Sequence, residues 1–403
     1  MGGDPEHTCP VCQNENTAKP REPGPLCDSF DIALGQPLPH ATHLVLGVGK
    51  PEDGERGDCL AALRAFGLRV ALFDERKESL AGRLDGSEYA VVLALRDSVG
   101  AGPVLDMKTA RGTHYTVNLI PPFTFDKLEK RAKGIKRLGV LRMDVDNLGE
   151  IFQRGLGGDA TLSRLASLSR VVSLFFEGRV AQICMEVSDL IYAVYAGGDD
   201  LFLIGPWDLM PGLARRLHDE LNELTGGNED VHVSAGIALI GGKYPVYQAA
   251  DDAKEALERA KDQAGKDAIT FLGRTCKWEA FAEVEEVFRK LTVLVEAGAP
   301  KGLLTRLLAL DALREETRKR RVKLGLQVMN AGPWVWRGSY ALVRLMQQYG
   351  QEERIRQGIA NLYEQLTQSG FANLPQVGLA ARWAQLRLRD KQEGESEHQA
   401  TTD

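Results

Sequence analysis

Four consecutive residues, Gly197-Gly198-Asp199-Asp200, place two carboxylates at a tight turn between the apolar runs Ile191–Tyr195 and Leu201–Ile204. This pattern predicts a β-hairpin whose tip presents two like charges at one edge of a sheet, a repulsion that a bound cation relieves. A third carboxylate, Asp144, closes an earlier apolar run and opens the group Asp144-Val145-Asp146-Asn147-Leu148-Gly149. If its strand lies beside the hairpin strand, Asp144 reaches the same ion. Hard oxygen ligands of this kind suit Mg2+ or Mn2+, and such clusters activate a hydroxyl and neutralise a transferring phosphate. Alone, Gly-Gly-Asp-Asp is equally an ordinary tight turn, because Gly and Asp favour turns on backbone grounds. The added Asp144, in the right order and on the right elements, favours a metal site with Asp144, Asp199 and Asp200 as ligands.

A second group of metal-ligating type lies near the start of the chain. Cys9-Pro-Val-Cys12 is half of a zinc knuckle, since two thiolates separated by two residues fit one tetrahedral ion, and Cys27 offers a third. His7, His40, Cys59 or water could complete the set, and the alternative is free thiols in a loose segment. A metal there would be structural, because nothing nearby supplies a general base.

The elements that must position these groups follow from periodicity. Short apolar runs at His43–Val48, Arg69–Phe73, Tyr89–Leu95 and His114–Ile120 predict strands, and Cys59–Phe66 predicts a helix ending at Gly67. A turn at Pro121-Pro122 and the charged stretch Asp126–Arg137 mark a boundary. Beyond it the order is strand 138–144, helix 161–185, strand 190–195, the Gly-Asp turn, strand 201–204, helix 209–224, strand 231–239, helix 245–263 and strand 268–272. This is the β-α-β-β-α-β order of a ferredoxin-like palm with one extra helix. After Cys276 strand alternation stops and Leu, Arg, Glu and Gln recur at helical spacing, predicting a helical bundle. The expected class is α+β. The expected domains are a zinc knuckle (1–30), a small α/β linker domain (31–130), the palm (131–275), a helical domain (276–390) and a disordered tail (391–403).

Composition excludes several function classes. With 403 residues and 43% apolar content the chain can build more than one core, and a net charge of −6 argues against a surface that binds nucleic acid throughout. No stretch of about eighteen apolar residues and no signal-peptide pattern is present, so a cytoplasmic protein with no membrane partner is expected. Six cysteines, two in a C-x-x-C, predict metal binding rather than disulfides. Basic residues cluster between Leu313 and Lys323 and could face RNA or an acidic partner. A solvated helix face countered by Glu315 and Glu316 is the slightly favoured reading. Trp334 and Trp336 read as core or interface anchors.

The segments Leu138–Gly149 (LGVLRMDVDNLG), Tyr192–Trp207 (YAVYAGGDDLFLIGPW) and Ser234-Ala-Gly-Ile237 resemble the second palm of the CRISPR polymerase family, the large subunit of type III-A effectors in its Csm form. Leu168-Ser-Arg170 and Phe175-Phe-Glu-Gly178 are similar to the same family. The resemblance is strong over 130–280 and looser in the flanks, and extends to nucleotidyl cyclases of the GGDEF type. It implies that two ATP molecules sit on the palm and that a 3′-hydroxyl attacks the next α-phosphate, closing a ring of adenylates. It also implies that Asp144, Asp199 and Asp200 are metal ligands, Ser234 a nucleotide contact and Lys261 a triphosphate contact. Lys266 resembles the phosphate-binding helix end, Gly197 and Gly198 shape the turn, and Asn147 could face the nucleotide or cap a turn. On residue pattern alone Lys261 is equally a solvent-facing lysine.

The implied partners are other Csm-type subunits, including the small helical subunit and the repeat-tag-end subunit, with CRISPR RNA and target RNA reached through the complex. The sequence departs from the family where Phe30 stands in place of a second C-x-x-C partner for Cys27. It departs again before residue 130, where no His-Asp nuclease signature or first palm is found, so single-stranded DNA cleavage is not expected of this chain. Two alternatives remain: a stand-alone GGDEF-like cyclic dinucleotide synthase and a non-catalytic scaffold.

Overall fold

A computed structural model describes residues 7–12, 22–52, 58–74, 77, 87–95, 109–113, 119–155, 157, 161–327 and 331–389. In chain order the elements are α1 (Pro25–Phe30, continued by a π-helical turn Asp31–Gly35), β1 (His43–Gly49), α2 (Cys59–Ala65), β2 (Leu68–Phe73), β3 (Ser87–Ala94), β4 (Thr109–Thr113), α3 (Phe125–Arg131), β5 (Leu138–Val145), α4 (Leu148–Arg154), α5 (Leu162–Leu174), a π-helical turn Phe175–Arg179, α6 (Val180–Val187), β6 (Tyr192–Gly197), β7 (Asp200–Pro206), α7 (Met210–Leu224), β8 (Val233–Ile240), α8 (Val246–Lys261), β9 (Ala268–Phe271), β10 (Arg274–Lys277), α9 (Trp278–Glu296), α10 (Gly302–Lys323), α11 (Pro333–Gln348), α12 (Glu353–Gln368) and α13 (Leu374–Arg387). The chain divides into two compact units, Met1–Phe123 with Ala166–Gly198, and Thr124–Leu165 with Asp199–Asp403. The α+β class expected from the sequence is the class observed.

In the first unit the strands run β2-β1-β3-β4, with β1 antiparallel to both neighbours and β3 parallel to β4. One face is apolar and buried through Val45, Phe73, Ala90 and Val92. Helix α2 starts where the Asp58 carboxylate accepts the Leu60 N–H at 2.8 Å, satisfying one of the donors a helix start leaves open. A fourth strand lies at Thr109–Thr113, and most of the run His114–Ile120 expected as a strand, residues 114–118, is outside those described. The expected tail 391–403 is likewise outside them.

The second unit is built on β5. Leu138, Gly139, Val140 and Leu141 are buried in succession, so the strand is covered on both faces, and β5 is antiparallel to β7 on one side and β8 on the other. Strand β9 follows parallel to β8, and β10 closes the edge antiparallel to β9. Helix α8 approaches β8 so closely that a Cβ on Gly236 would lie 2.2 Å from the Leu257 backbone nitrogen, which only glycine permits.

Three elements depart from the sequence reading. β10 extends the palm through Cys276, because four residues are too few to show alternation. α3 fills the first half of the charged stretch read as a boundary. The long helix expected over 161–185 is interrupted by the π turn at Phe175–Arg179.

The helical part is anchored by aromatic packing: Phe288 stacks on Trp383 at 4.0 Å, and Phe271 meets the same ring edge-on at 5.2 Å. Trp334 is buried, as a core anchor should be, while Trp336 is exposed. Within the basic stretch of α10, Glu315 pairs with Arg318 at 2.9 Å and Lys319 at 3.8 Å, the counter-charge role expected of it. No helix among the described residues is long and apolar enough to cross a membrane.

Candidate functional site

The antiparallel register of the second unit decides the geometry. Asp144 at the end of β5 is the direct partner of Asp200 on β7 and of Ser234 on β8. Directly opposed residues project to one face with Cβ atoms about 5 Å apart, so two carboxylates and a hydroxyl converge at one sheet edge. Gly197 ends β6, and Gly198 makes the turn at φ +66°. Asp199 is held by its backbone, whose carbonyl accepts the Val145 N–H at 3.0 Å.

Two lysines, one on the last residue of α8 and one in the turn that follows it, reach the same strand ends. Lys261 Nζ donates to Asp144 Oδ1 at 2.5 Å, and Lys266 Nζ donates to Asn147 Oδ1 at 2.6 Å. Lys261 is therefore not simply a solvated lysine on an amphipathic helix. Burial pushes the Asp144 carboxyl above its ordinary range. The Lys261 ammonium opposes this, and the charges of Asp199 and Asp200 add to it. A carboxylate crowded by two others is a group whose charge a cation stabilises, so this donor set fits a hard divalent ion.

The three acids nevertheless stand apart. Among the described residues the one trio of ligand atoms gathered within 4.8 Å is a cysteine trio, not Asp144, Asp199 and Asp200. The reason is electrostatic: like charges separate, Asp144 turns to Lys261, and Asp200 lies 3.7 Å from the Arg142 guanidinium. Ser234 is fully buried and its hydroxyl donates to Asp146 Oδ2 at 2.7 Å, so it faces a neighbouring carboxylate inside the sheet edge.

Sequence reasoning passed over Asp146, His232, His218 and Asp267. Asp146 is completely buried, and its Oδ2 lies 2.7 Å from His232 Nδ1 and accepts the Asp267 N–H at 3.1 Å. His218 Nε2 lies 3.3 Å from Asp267 Oδ1 and its ring stacks on Trp278 at 4.6 Å. Burial raises the Asp267 carboxyl, but the His218 hydrogen bond, together with the nearby His218, His232 and Lys277, holds it below its ordinary range. His218, His232, Asp267 and Lys277 line a cleft of about 590 Å³. The Asp144-x-Asp146 spacing was the available signal for Asp146.

In the first unit the sulfurs of Cys9, Cys12 and Cys27 lie within 4.8 Å of one another. Zn–S bonds of ~2.3 Å in a tetrahedron put sulfurs about 3.8 Å apart, so the trio fits a tetrahedral thiolate site. Backbone N–H groups of Cys12 and Gly24 draw the Cys9 thiol down to about 6, favouring the thiolate a metal needs. His7, His40 and Cys59 do not join the trio.

The family model for the second palm domain of Cas10/Cmr2 matches residues 137–270. This segment resembles the Cas10-type second palm. The chain has homologues among the type III-A Cas10/Csm1 proteins. The CRISPR system single-strand-specific deoxyribonuclease Cas10/Csm1 (subtype III-A) of Methanocaldococcus jannaschii is 36% identical over 187 residues, which cover 40% of this chain and 23% of that protein. Two solved structures share the fold. A Csm1-Csm4 cassette in complex with one ATP has a TM-score of 0.59 at 21% identity, over 88% of this chain and 49% of that one. A Csm1-Csm4 cassette in complex with cA4 has a TM-score of 0.56 at 21% identity, over 85% and 48%. The chain thus spans about half the length of these Csm1 structures, and its match covers about a quarter of the curated relative.

Proposed function

We propose that the Cas10-type palm of this chain joins ATP through 3′-5′ linkages into cyclic oligoadenylates, within a type III-A effector of Csm-type subunits, CRISPR RNA and target RNA. The observation that carries this is the register: Asp144 and Asp200 stand opposite each other on adjacent strands, beside Asp199, with Lys261 and Lys266 supplying positive charge at the same strand ends. Csm1-Csm4 cassettes of the same fold bind ATP and cA4, which supports adenylates as the substrate class.

Asp144, Asp199 and Asp200 would hold Mg2+ or Mn2+. When bound, such an ion activates a hydroxyl and neutralises phosphate charge. The protein's own contribution is positioning and charge. Lys261 opposes the effect of burial on the Asp144 carboxyl, Asn147 holds the Lys266 ammonium at the nucleotide side, and the fixed sheet edge spares reorganisation during transfer. Gly197 and Gly198 shape the turn, and Ser234 steadies the neighbouring Asp146.

Labelled ATP and GTP with Mn2+, supplied to the chain assembled with its partner subunits, guide RNA and complementary target, test the reading. Cyclic oligoadenylate from ATP, dependent on target RNA, is the expected result. A cyclic dinucleotide made from GTP by the chain alone would replace the proposal with the stand-alone synthase, and no product from either nucleotide would leave a scaffold.

The cysteine trio is proposed to hold a structural zinc ion. Cys9→Ser with Cys12→Ser should remove zinc from the purified chain and increase proteolysis near the N-terminus, with palm chemistry unchanged, because the trio belongs to the other unit. Zinc-free wild-type protein with the same protease pattern as the variant would return the three residues to free thiols.

A further inference from the structure

The turn between α8 and β9 passes through three consecutive residues in the left-handed region: Gly265 at φ +70°, Lys266 at +45° and Asp267 at +47°. Glycine takes this conformation freely, whereas Lys and Asp hold it against their Cβ atoms. Asn147, the residue after Asp146, is also left-handed at +56°. These two turns face each other across the Lys266–Asn147 hydrogen bond. Backbone of this kind persists only where its surroundings over-determine it, and it concentrates at functional sites.

From the later part of the chain, Lys277 Nζ donates to the Lys266 carbonyl and the Trp278 N–H donates to the Asp267 carbonyl at 3.3 Å. From the strand that carries Asp144, the hold is Asp146. Its Oδ2 gathers the Asp267 N–H, the Ser234 hydroxyl and His232, while its backbone N–H donates to the His232 carbonyl at 2.9 Å. Its Oδ1 is buried without a hydrogen-bond partner. A half-satisfied buried carboxylate opposes stability, so a position serving packing alone would be better filled by an apolar residue.

We propose that Asp146 is a positioning residue: its carboxylate clasps the left-handed turn at Lys266–Asp267 to the end of β5, and so sets where the Lys266 ammonium stands relative to the Asp144 carboxylate. The use made of that geometry rests on the proposed binding of a nucleotide triphosphate at the palm. The clasp itself does not, and the two are separable by experiment.

Amide hydrogen exchange on the full chain reads the clasp without any nucleotide. Asp146→Ala should raise exchange at residues 266 and 267 about tenfold while Leu138–Met143 stay protected. Ser234→Ala, a milder change that leaves the carboxylate in place, should raise it about threefold, although the Ser234 hydroxyl is bonded to Asp146 and not to the turn. Wild-type exchange at 266 and 267 in folded Asp146→Ala overturns the clasp. If that variant does not fold, wild-type exchange in Ser234→Ala does the same.

Equilibrium binding of labelled ATP with Mn2+ reads the use. Lys266→Ala and Asp146→Ala should each weaken binding about tenfold, and together no more than Lys266→Ala alone, because one acts through the other. Fully additive losses would show that Asp146 does not act through Lys266 and would overturn the positioning role. Raised exchange in Asp146→Ala with unaltered ATP affinity in Lys266→Ala would uphold the clasp and sink the triphosphate role of Lys266.

Discussion

Replacing Asp199 and Asp200 together by Ala is expected to lower adenylate formation by about a hundredfold or more, the scale on which removing preorganised charge from a transition state is felt. The fold should survive. Gly198 still makes the turn at φ +66°, and the bond holding Asp199 runs from the Val145 N–H to a backbone carbonyl that Ala retains. Removing both charges also takes away two of the influences that raise the Asp144 carboxyl, leaving burial opposed by Lys261. Asp144 should then ionise more readily in the double variant while activity is lost. That combination separates loss of ligands from loss of folding. Asp144→Asn should lose activity on a similar scale without loss of stability, because burial and the neighbouring acids already disfavour the charge it removes. Circular dichroism melts alongside product formation with Mn2+ in the assembled complex make the measurement. A folded double variant with wild-type product would end the assignment of these acids.

Arg274→Ala should destabilise the second unit by about 2 kcal/mol, reduced from the larger cost of breaking a fully buried pair because the arginine is partly exposed. Arg274 on β10 donates to Asp311 Oδ2 on α10 at 2.6 Å, and so ties the palm sheet to the helical part. Asp311 is buried, its Oδ1 has no partner, and a Cβ on Gly378 of α13 would stand 2.5 Å from it, so the carboxylate has no room to turn to water. Burial pushes its carboxyl from 3.8 up to about 6, against the charges of Arg274 and Arg314.

A carboxyl with a raised folded-state value binds its proton more tightly when folded, and this gives the pH effect its sign. The contribution to stability is present in full below about 4 and is lost as pH rises through about 6. At pH 5 the group is largely neutral with or without Arg274, so the variant should melt close to wild type. At pH 8 the unpaired charge is exposed in full, and the melting temperature should fall by about 5 °C. Equal deficits at the two pH values would show that lost packing, not the buried charge, sets the cost. Arg274→Ala with Asp311→Asn should recover most of the loss at pH 8.

Local chemistry was readable from the amino-acid order. Apolar runs on either side of Gly197-Gly198-Asp199-Asp200 announce a strand, a turn and a strand, because strand burial and turn conformation depend on residues within a few positions of each other. The order of elements then implied that Asp144 would reach the same edge, and the observed register places it opposite Asp200. Cys9 and Cys12 declared themselves by spacing, and Cys27 joins them.

Tertiary structure alone decided the rest. The bond from Lys261 to Asp144 spans 117 positions, and those that bring His232, Ser234 and Asp267 to Asp146 span 86, 88 and 121. No periodicity carries information over such separations; strand register does, and a shift of one residue would turn Asp144 and Ser234 to opposite faces. The left-handed Lys266 and Asp267 run against local preference, so only contacts from distant strands could reveal that the chain is held there.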